Sequence, residues 1–115
     1  MTELRLIEMG LTDEDIVPLR YMTNLTNLWM PENQISDITP LTGLTNLTFL
    51  NLDSNQVRDI TPLAGLPNLT MLWLSGNQIS DISPLEEFTG GLQLWGNPIN
   101  DWSPLDHLEY VEGRP

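Results

Sequence analysis

Few side chains in this sequence are of types that could make or break bonds, and their setting does not support that use. His107 is the single histidine and lies in the tail, no serine stands in a nucleophile elbow, and no glycine-rich run could cradle a phosphate. There is no cysteine, hence no thiolate, disulfide or cysteine metal site, a composition compatible with either redox compartment. Glu32 and Asp53 could approach each other, but a carboxylate pair without a pocket is a weak basis for acid–base hydrolysis. Asp37, Asp59, Asp81 and Asp101 recur at nearly one interval and would stack like a cation site. Each stands just before a Thr-Pro or Ser-Pro pair that starts a helical turn, where an acidic residue favours the exposed N–H groups, so the row has a structural explanation. The expectation is a non-catalytic chain with no cofactor and no metal.

Recognition chemistry is better represented. Trp29, Phe49, Asn51, Asp53, Met71, Trp73, Gln93 and Trp95 hold matching places in successive copies of one segment, and they differ from copy to copy while the skeleton around them does not. Arg5 and Ile7 stand at the corresponding places before the first copy. Three of the four tryptophans are in this set. Exposed together, these residues would make an aromatic and apolar patch, which a soluble monomer seldom carries without a use, and Trp is the type most enriched in binding hot spots.

The skeleton is LxxLxLxxNxIxxIxxL. Asn33, Asn55 and Asn77 stand 22 residues apart, and the stretch Leu47–Asn68 maps onto Leu25–Asn46 and onto Leu69–Gly90 at that offset. A fixed period of this length predicts a solenoid, whose units bury their apolar faces only by stacking. Leu50 and Leu52 alternating with Asn51 is a strand signature, with the leucines inward and Phe49, Asn51 and Asp53 outward. With strands ~4.8 Å apart, Trp29 and Trp73 are expected ~10 Å from each other, flanking Asn51, with Trp95 one strand beyond Trp73. Asn33, Asn55, Asn77 and Asn97 have the donors and acceptor to form a buried ladder along the turns. Thr39-Pro40, Thr61-Pro62, Ser83-Pro84 and Ser103-Pro104 place a hydroxyl at an N-cap and Pro at the first helical position, and Gly43 or Gly65 lets the chain leave that turn.

The ends depart from the pattern. Residues 1–24 read as an irregular N-terminal capping turn, in which Thr12 and Asp15 form a weak capping box and Asp13, Glu14 and Asp15 a solvated helix start. Regular repeats fill 25–46, 47–68 and 69–90. From Asn77 to Asn97 is 20 residues, so 91–115 is a shortened repeat and then a tail that folds over the open end, with Trp102 as a core plug. The whole chain, 1–115, reads as one domain.

The form LTxLxLxxNQIxDITPL resembles the leucine-rich repeat proteins, and within them the bacterial internalin-like subclass with 22-residue repeats; the ending DWSPLDHLEYVEGRP is similar to their terminal units. The resemblance is specific over Leu25–Phe88 and weaker over Leu4–Met22 and Leu92–Leu108. It implies an α/β solenoid: a right-handed curved array of about five turns, with a short-stranded parallel sheet on the concave face and short helical or 3₁₀ turns on the convex face. It also implies recognition of a protein partner on the sheet. Such relatives are secreted or held at the cell surface, although this stretch shows neither signal peptide nor anchor. The near-identity of the units is what a trimmed or consensus-derived array shows, as well as some natural ones.

Charge narrows the partner. Sixteen acidic residues against four arginines give −12, a surface that repels a phosphate backbone and favours a basic partner. No stretch approaches the ~20 apolar residues of a membrane span. The sequons at Asn24, Asn46 and Asn68 recur because the repeat does. The expectation is therefore a protein-interaction module, for a partner of unstated identity or a second copy of the chain, with neither nucleic acid nor membrane insertion; the alternative is a structural, self-associating or engineered scaffold without a ligand. The concave face projects only ~240 Å², below the ~800 Å² per partner of a standard interface, so tight binding needs the rims, a longer array or a second copy.

Overall fold

A computed structural model describes residues 1–115. The Leu-x-Leu alternation sets one side chain of each short strand inward and its neighbours outward, and every in-phase copy does the same beside it. The strands β1 (Glu3–Arg5), β2 (Asn27–Trp29), β3 (Phe49–Asn51), β4 (Met71–Trp73) and β5 (Gly91–Gln93) accordingly form one all-parallel sheet in chain order. Leu28, Leu50 and Leu72 make one fully buried row, and Met30, Leu52 and Leu74 a second. Opposite the sheet, Ile38, Ile60 and Ile82 and then Leu41, Leu63 and Leu85 close the core from the convex side.

A buried asparagine follows each of β2, β3 and β4, and the partly exposed Asn97 follows β5. The Asn55 side-chain oxygen accepts the N–H of Ile35, and its amide donates to the carbonyls of Met30 and Leu52 at 2.8 and 3.1 Å. Asn77 repeats this one turn on, with Val57, Leu52 and Leu74. Asn33 and Asn97 hold the outer turns in the same way. Backbone groups that would otherwise be buried without partners are thus satisfied by one column of side chains. A second column joins the turns at the surface: Thr48 and Thr70 hydroxyls donate to the carbonyls of Thr26 and Thr48, and the sequon residues Asn46 and Asn68 donate to those of Thr23 and Thr45.

The convex limb carries 3₁₀ turns at Thr39–Leu41, Thr61–Leu63, Ser83–Leu85 and Ser103–Leu105. Here the expected capping is corrected. The hydroxyl residue is the first residue of the turn, and the capping acceptor is the aspartate two positions earlier: Asp37, Asp59, Asp81 and Asp101 accept the N–H of Thr39, Thr61, Ser83 and Ser103 at 2.9–3.0 Å. The N–H bond and then the hydroxyl of Thr61 or Ser83 hold the carboxyls of Asp59 and Asp81 below the usual carboxylate range, and at Asp101 the Ser103 hydroxyl does so first and its N–H second. Gly43 and Gly65 likewise do not release the chain through a left-handed conformation, since neither has a positive φ. That conformation occurs instead just after the strands, in a column formed by Glu32, Ser54, Gly76 and Gly96.

The first turn contains helix α1 (Asp13–Ile16), opened by Thr12 donating its N–H to Asp15. The Asp13 carboxylate is more than solvated: it accepts from the Ser36 hydroxyl and the N–H groups of Ser36 and Asp37, joining the first turn to the second. At the other end the tail lies along β5. Leu94 donates its N–H to the Glu112 carbonyl, Glu112 donates to that of Leu92, and Val111 is buried between them.

Candidate functional site

The outward positions of the strands are brought together in the register the repeat implies. Trp29, Asn51 and Trp73 lie side by side on β2, β3 and β4, and Phe49 stands one step away beside Asn27 and Met71. Asn51 is small, and its side-chain oxygen accepts the N–H of Asp53 at 2.9 Å instead of reaching outward. The neighbouring large rings therefore fold in over it. The Trp29 and Trp73 ring centroids are 5.9 Å apart and edge to face, much closer than their strand spacing, and Phe49 completes the cluster at 4.5 Å from Trp29 and 5.2 Å from Trp73. Asn51 is left 4% exposed beneath them. The indole N–H groups of Trp29 and Trp73 are buried in the cluster without an acceptor. Arg5 covers its N-terminal side, with the guanidinium 4.7 Å from the Trp29 ring centroid, a cation–π contact.

The C-terminal half of the face is different. Met71 is 41% and Trp95 57% exposed. Gly91 has no side chain, and the Met71 sulfur lies across it, so a Cβ there would meet Sδ at 2.7 Å. A shallow notch remains, lined by Met71, Trp73, Gly91, Gln93, Tyr110 and Glu112. Trp95 stands outside the ring cluster. Its backbone N–H donates to the Ser75 hydroxyl, and its indole N–H points to the Glu112 carboxylate at 3.4 Å.

Tyr110 and Glu112 are the residues of this surface that repeat comparison misses, because the tail has no counterpart in other turns. A signal did exist, since Tyr-Val-Glu alternates outward, inward and outward as a strand does. Asp53 is half-buried at the edge of the cluster; burial pushes its carboxyl above the usual carboxylate value, only partly offset by the Ser75 N–H it accepts at 2.7 Å. Glu32 is exposed at the left-handed turn. His107 is fixed far from this face, its Nε2 bonded to the Phe88 carbonyl. The sheet face thus presents exposed apolar side chains next to carboxylates.

A family model described as leucine-rich repeats, two copies, matches residues 23–65 and again residues 45–87. The chain matches no curated protein. Among solved structures it is similar to the internalin InlF of Listeria monocytogenes at 37% identity and a TM-score of 0.85, over 96% of this chain and 34% of that one. Internalin C2 of Listeria monocytogenes is similar at 43% identity and a TM-score of 0.90, over 96% of this chain and 50% of that one. A leucine-rich repeat protein of Leptospira interrogans matches at 28% identity and a TM-score of 0.69, over 84% of this chain and 27% of its own. The chain thus spans between a third and a half of the two internalins. With the asparagine ladder and the parallel sheet in the same register throughout, the chain belongs to the leucine-rich repeat family, as a bacterial internalin-like member.

Proposed function

We propose that the chain is a non-catalytic module that holds a protein partner on the C-terminal half of its concave face. The leucine-rich repeat fold serves protein interaction in general. The observation that carries the finer reading is the contrast within this one face, where Trp29, Phe49 and Trp73 are stacked on each other while Met71 and Trp95 stand exposed beside a notch. The stacked rings form a rigid floor, and the exposed pair supplies the anchors, since large apolar side chains at the centre of a contact carry most of its free energy. Asn51 supports the floor from below, Gln93 lies at the notch and Glu112 gives it a negative charge, and Asp53 adds a half-buried carboxylate on β3's side of the face. A partner segment with apolar and basic side chains fits this surface.

Peptides selected from a displayed random library against the intact chain test this reading. Their enriched sequences should pair apolar with Lys or Arg residues. Trp95→Ala should weaken them by about 30-fold or more, the effect of removing a hot spot of about 2 kcal/mol, with circular dichroism and urea midpoint unchanged. Asp59→Asn on the convex side should leave them unaffected. Ligands indifferent to both Trp95→Ala and Met71→Ala would place binding elsewhere and overturn the proposal.

A further inference from the structure

The sheet has one unpaired edge of note, β1, and its chemistry selects an occupant. The register with β2, and the bonds from Leu6 N–H to the Trp29 carbonyl and from Thr26 N–H to the Thr2 carbonyl, turn the backbone groups of the even-numbered residues toward β2. Those of Glu3 and Arg5 therefore face outward, where another strand would lie. An edge of this kind is a template for strand addition unless something blocks it. Their side chains are also exposed; they are joined to each other by a 3.4 Å surface ion pair, a contact of little strength that is readily exchanged. The Arg5 guanidinium also lies over the Trp29 ring, a contact that pairing with a second strand would have to keep or exchange.

Glu3-Leu4-Arg5 is its own charge complement when reversed. Two copies of β1 laid antiparallel about a twofold axis at Leu4 set Glu3 of each copy opposite Arg5 of the other. In that register they are hydrogen-bonded pairs, each exchanging both backbone bonds, and the exposed side chains of Met1 and Ile7 come opposite one another. The neighbouring registers are disfavoured: one faces Glu3 with Glu3, the other Arg5 with Arg5, and like charges directly opposite destabilise a strand pair. Leu4, Leu6, Leu11 and Met22, only half-buried against the core, flank this edge.

We propose that the N-terminal edge of the sheet is a homodimer interface in which two copies pair β1 with β1, antiparallel, in the register centred on Leu4. The two concave faces then become one continuous surface. The dimer does not depend on what that surface holds. Two chains of −12 repel at long range, and at ~0.15 M salt that repulsion is screened beyond about 8 Å while the facing pairs are in contact.

Sedimentation velocity of the intact chain at ~0.15 M salt, from micromolar to millimolar concentration, should show a monomer–dimer equilibrium. Arg5→Glu and Glu3→Arg should each weaken it by about tenfold or more, because each sets like charges opposite at two symmetric places. Mixing these two variants should restore dimers, and so should the double variant E3R/R5E, which reverses the palindrome without breaking it. A chain that stays monomeric throughout overturns the proposal and leaves the edge to another occupant, such as a further turn of the solenoid. A dimer unmoved by the single reversals but lost in Trp95→Ala also overturns it, by placing the contact on the concave face.

Discussion

Leu92 and Leu94 at the C-terminal end of the sheet are covered almost as completely as the leucines of the middle turns, whereas Leu4 and Leu6, which occupy the same two rows at the other end, are only partly covered. The difference lies in the cover beyond each outer strand. Outside β5 the tail supplies one bridge, Gln93 to Glu112, one buried side chain, Val111, and a glycine that fits where no side chain could. A Cβ on Gly113 would sit 2.6 Å from the Trp95 nitrogen, and its φ of +99° is one that other residues rarely adopt. Outside β1 no strand is paired. In a solenoid each turn is stabilised by its neighbours, so an end turn lacks half of that support unless something replaces it. A short irregular segment suffices at the C-terminal end, while within residues 1–115 no strand lies beyond β1.

The largest test of this contrast is a matched pair of truncations. Leu94→Ala should cost about 2–5 kcal/mol, as for a fully buried leucine, and Leu6→Ala less than half of that, because its side chain is already partly in water. Urea unfolding at low and then at high protein concentration measures both. Should Leu6→Ala cost as much as Leu94→Ala in a concentration-dependent way, the open end is covered by a second chain, as the β1-paired dimer requires. Gly113→Ala should fall between the two and act by releasing the tail, visible as faster amide exchange at Leu94 and Glu112 while the middle strands remain protected.

Backbone conformation divides along the same axis. The left-handed residue after each strand is Glu8, Glu32 or Ser54 in the N-terminal half, with φ of 52–57°, and Gly76 or Gly96 in the C-terminal half. A residue with a Cβ pays about 1–2 kcal/mol for that conformation, partly compensated because glycine loses more freedom on folding. Ser54→Gly should therefore stabilise by about 0.5–1 kcal/mol. Gly76→Ala should destabilise by about 1 kcal/mol, its new Cβ also lying 3.3 Å from the Ser54 hydroxyl oxygen. Thermal unfolding of the two variants decides whether the strain sits where the φ values put it; a destabilised Ser54→Gly would show that the serine contributes more than its conformation costs.

The leucine rows, the asparagine ladder and the alignment of Trp29, Asn51 and Trp73 were legible in the sequence for one reason: in-phase copies of a single period can stack in only one register. What the period does not encode is what non-repeating side chains do once aligned. Strand spacing alone puts Trp29 and Trp73 ~10 Å apart, but a small residue between two large ones leaves a gap the rings close, which buries Asn51 and leaves Trp95 outside the cluster. The pattern makes Asp37 and its equivalents dipole partners and gives the cap to the neighbouring hydroxyls, whereas the aspartate oxygens make that cap. The special role of Ser54 could have been found, since Gly76 and Gly96 stand in its column. Tyr110 and Glu112 were hidden because periodicity says nothing about a tail that abandons it.

The smallest effect concerns the joint between the first turn and the second, where one carboxylate adds to the strand pairing and the Asn33 bonds. Asp13 accepts the Ser36 hydroxyl and Ser36 N–H at 2.7 Å each and the Asp37 N–H at 3.0 Å. Partial burial works to raise its carboxyl, but the Ser36 hydroxyl and the two N–H groups prevail and hold it below the ordinary aspartate value of 3.8. A carboxyl lowered on folding contributes stability that is fully present above its unfolded pKa and is lost as the pH falls through its folded one. Asp13→Asn should accordingly lower the unfolding free energy measured in urea at pH 7, by less than about 1 kcal/mol because the site is largely solvent-screened. The gap from the unmodified chain should then close as the pH is taken below about 4. The other lowered aspartates, Asp59, Asp81 and Asp101, cap within their own turns and do not join one turn to the next, so acid should lower the amide protection factors of Ser36 and Asp37 before that of Leu94. A gap that stays constant with pH would mean that shape, and not charge, makes the Asp13 joint.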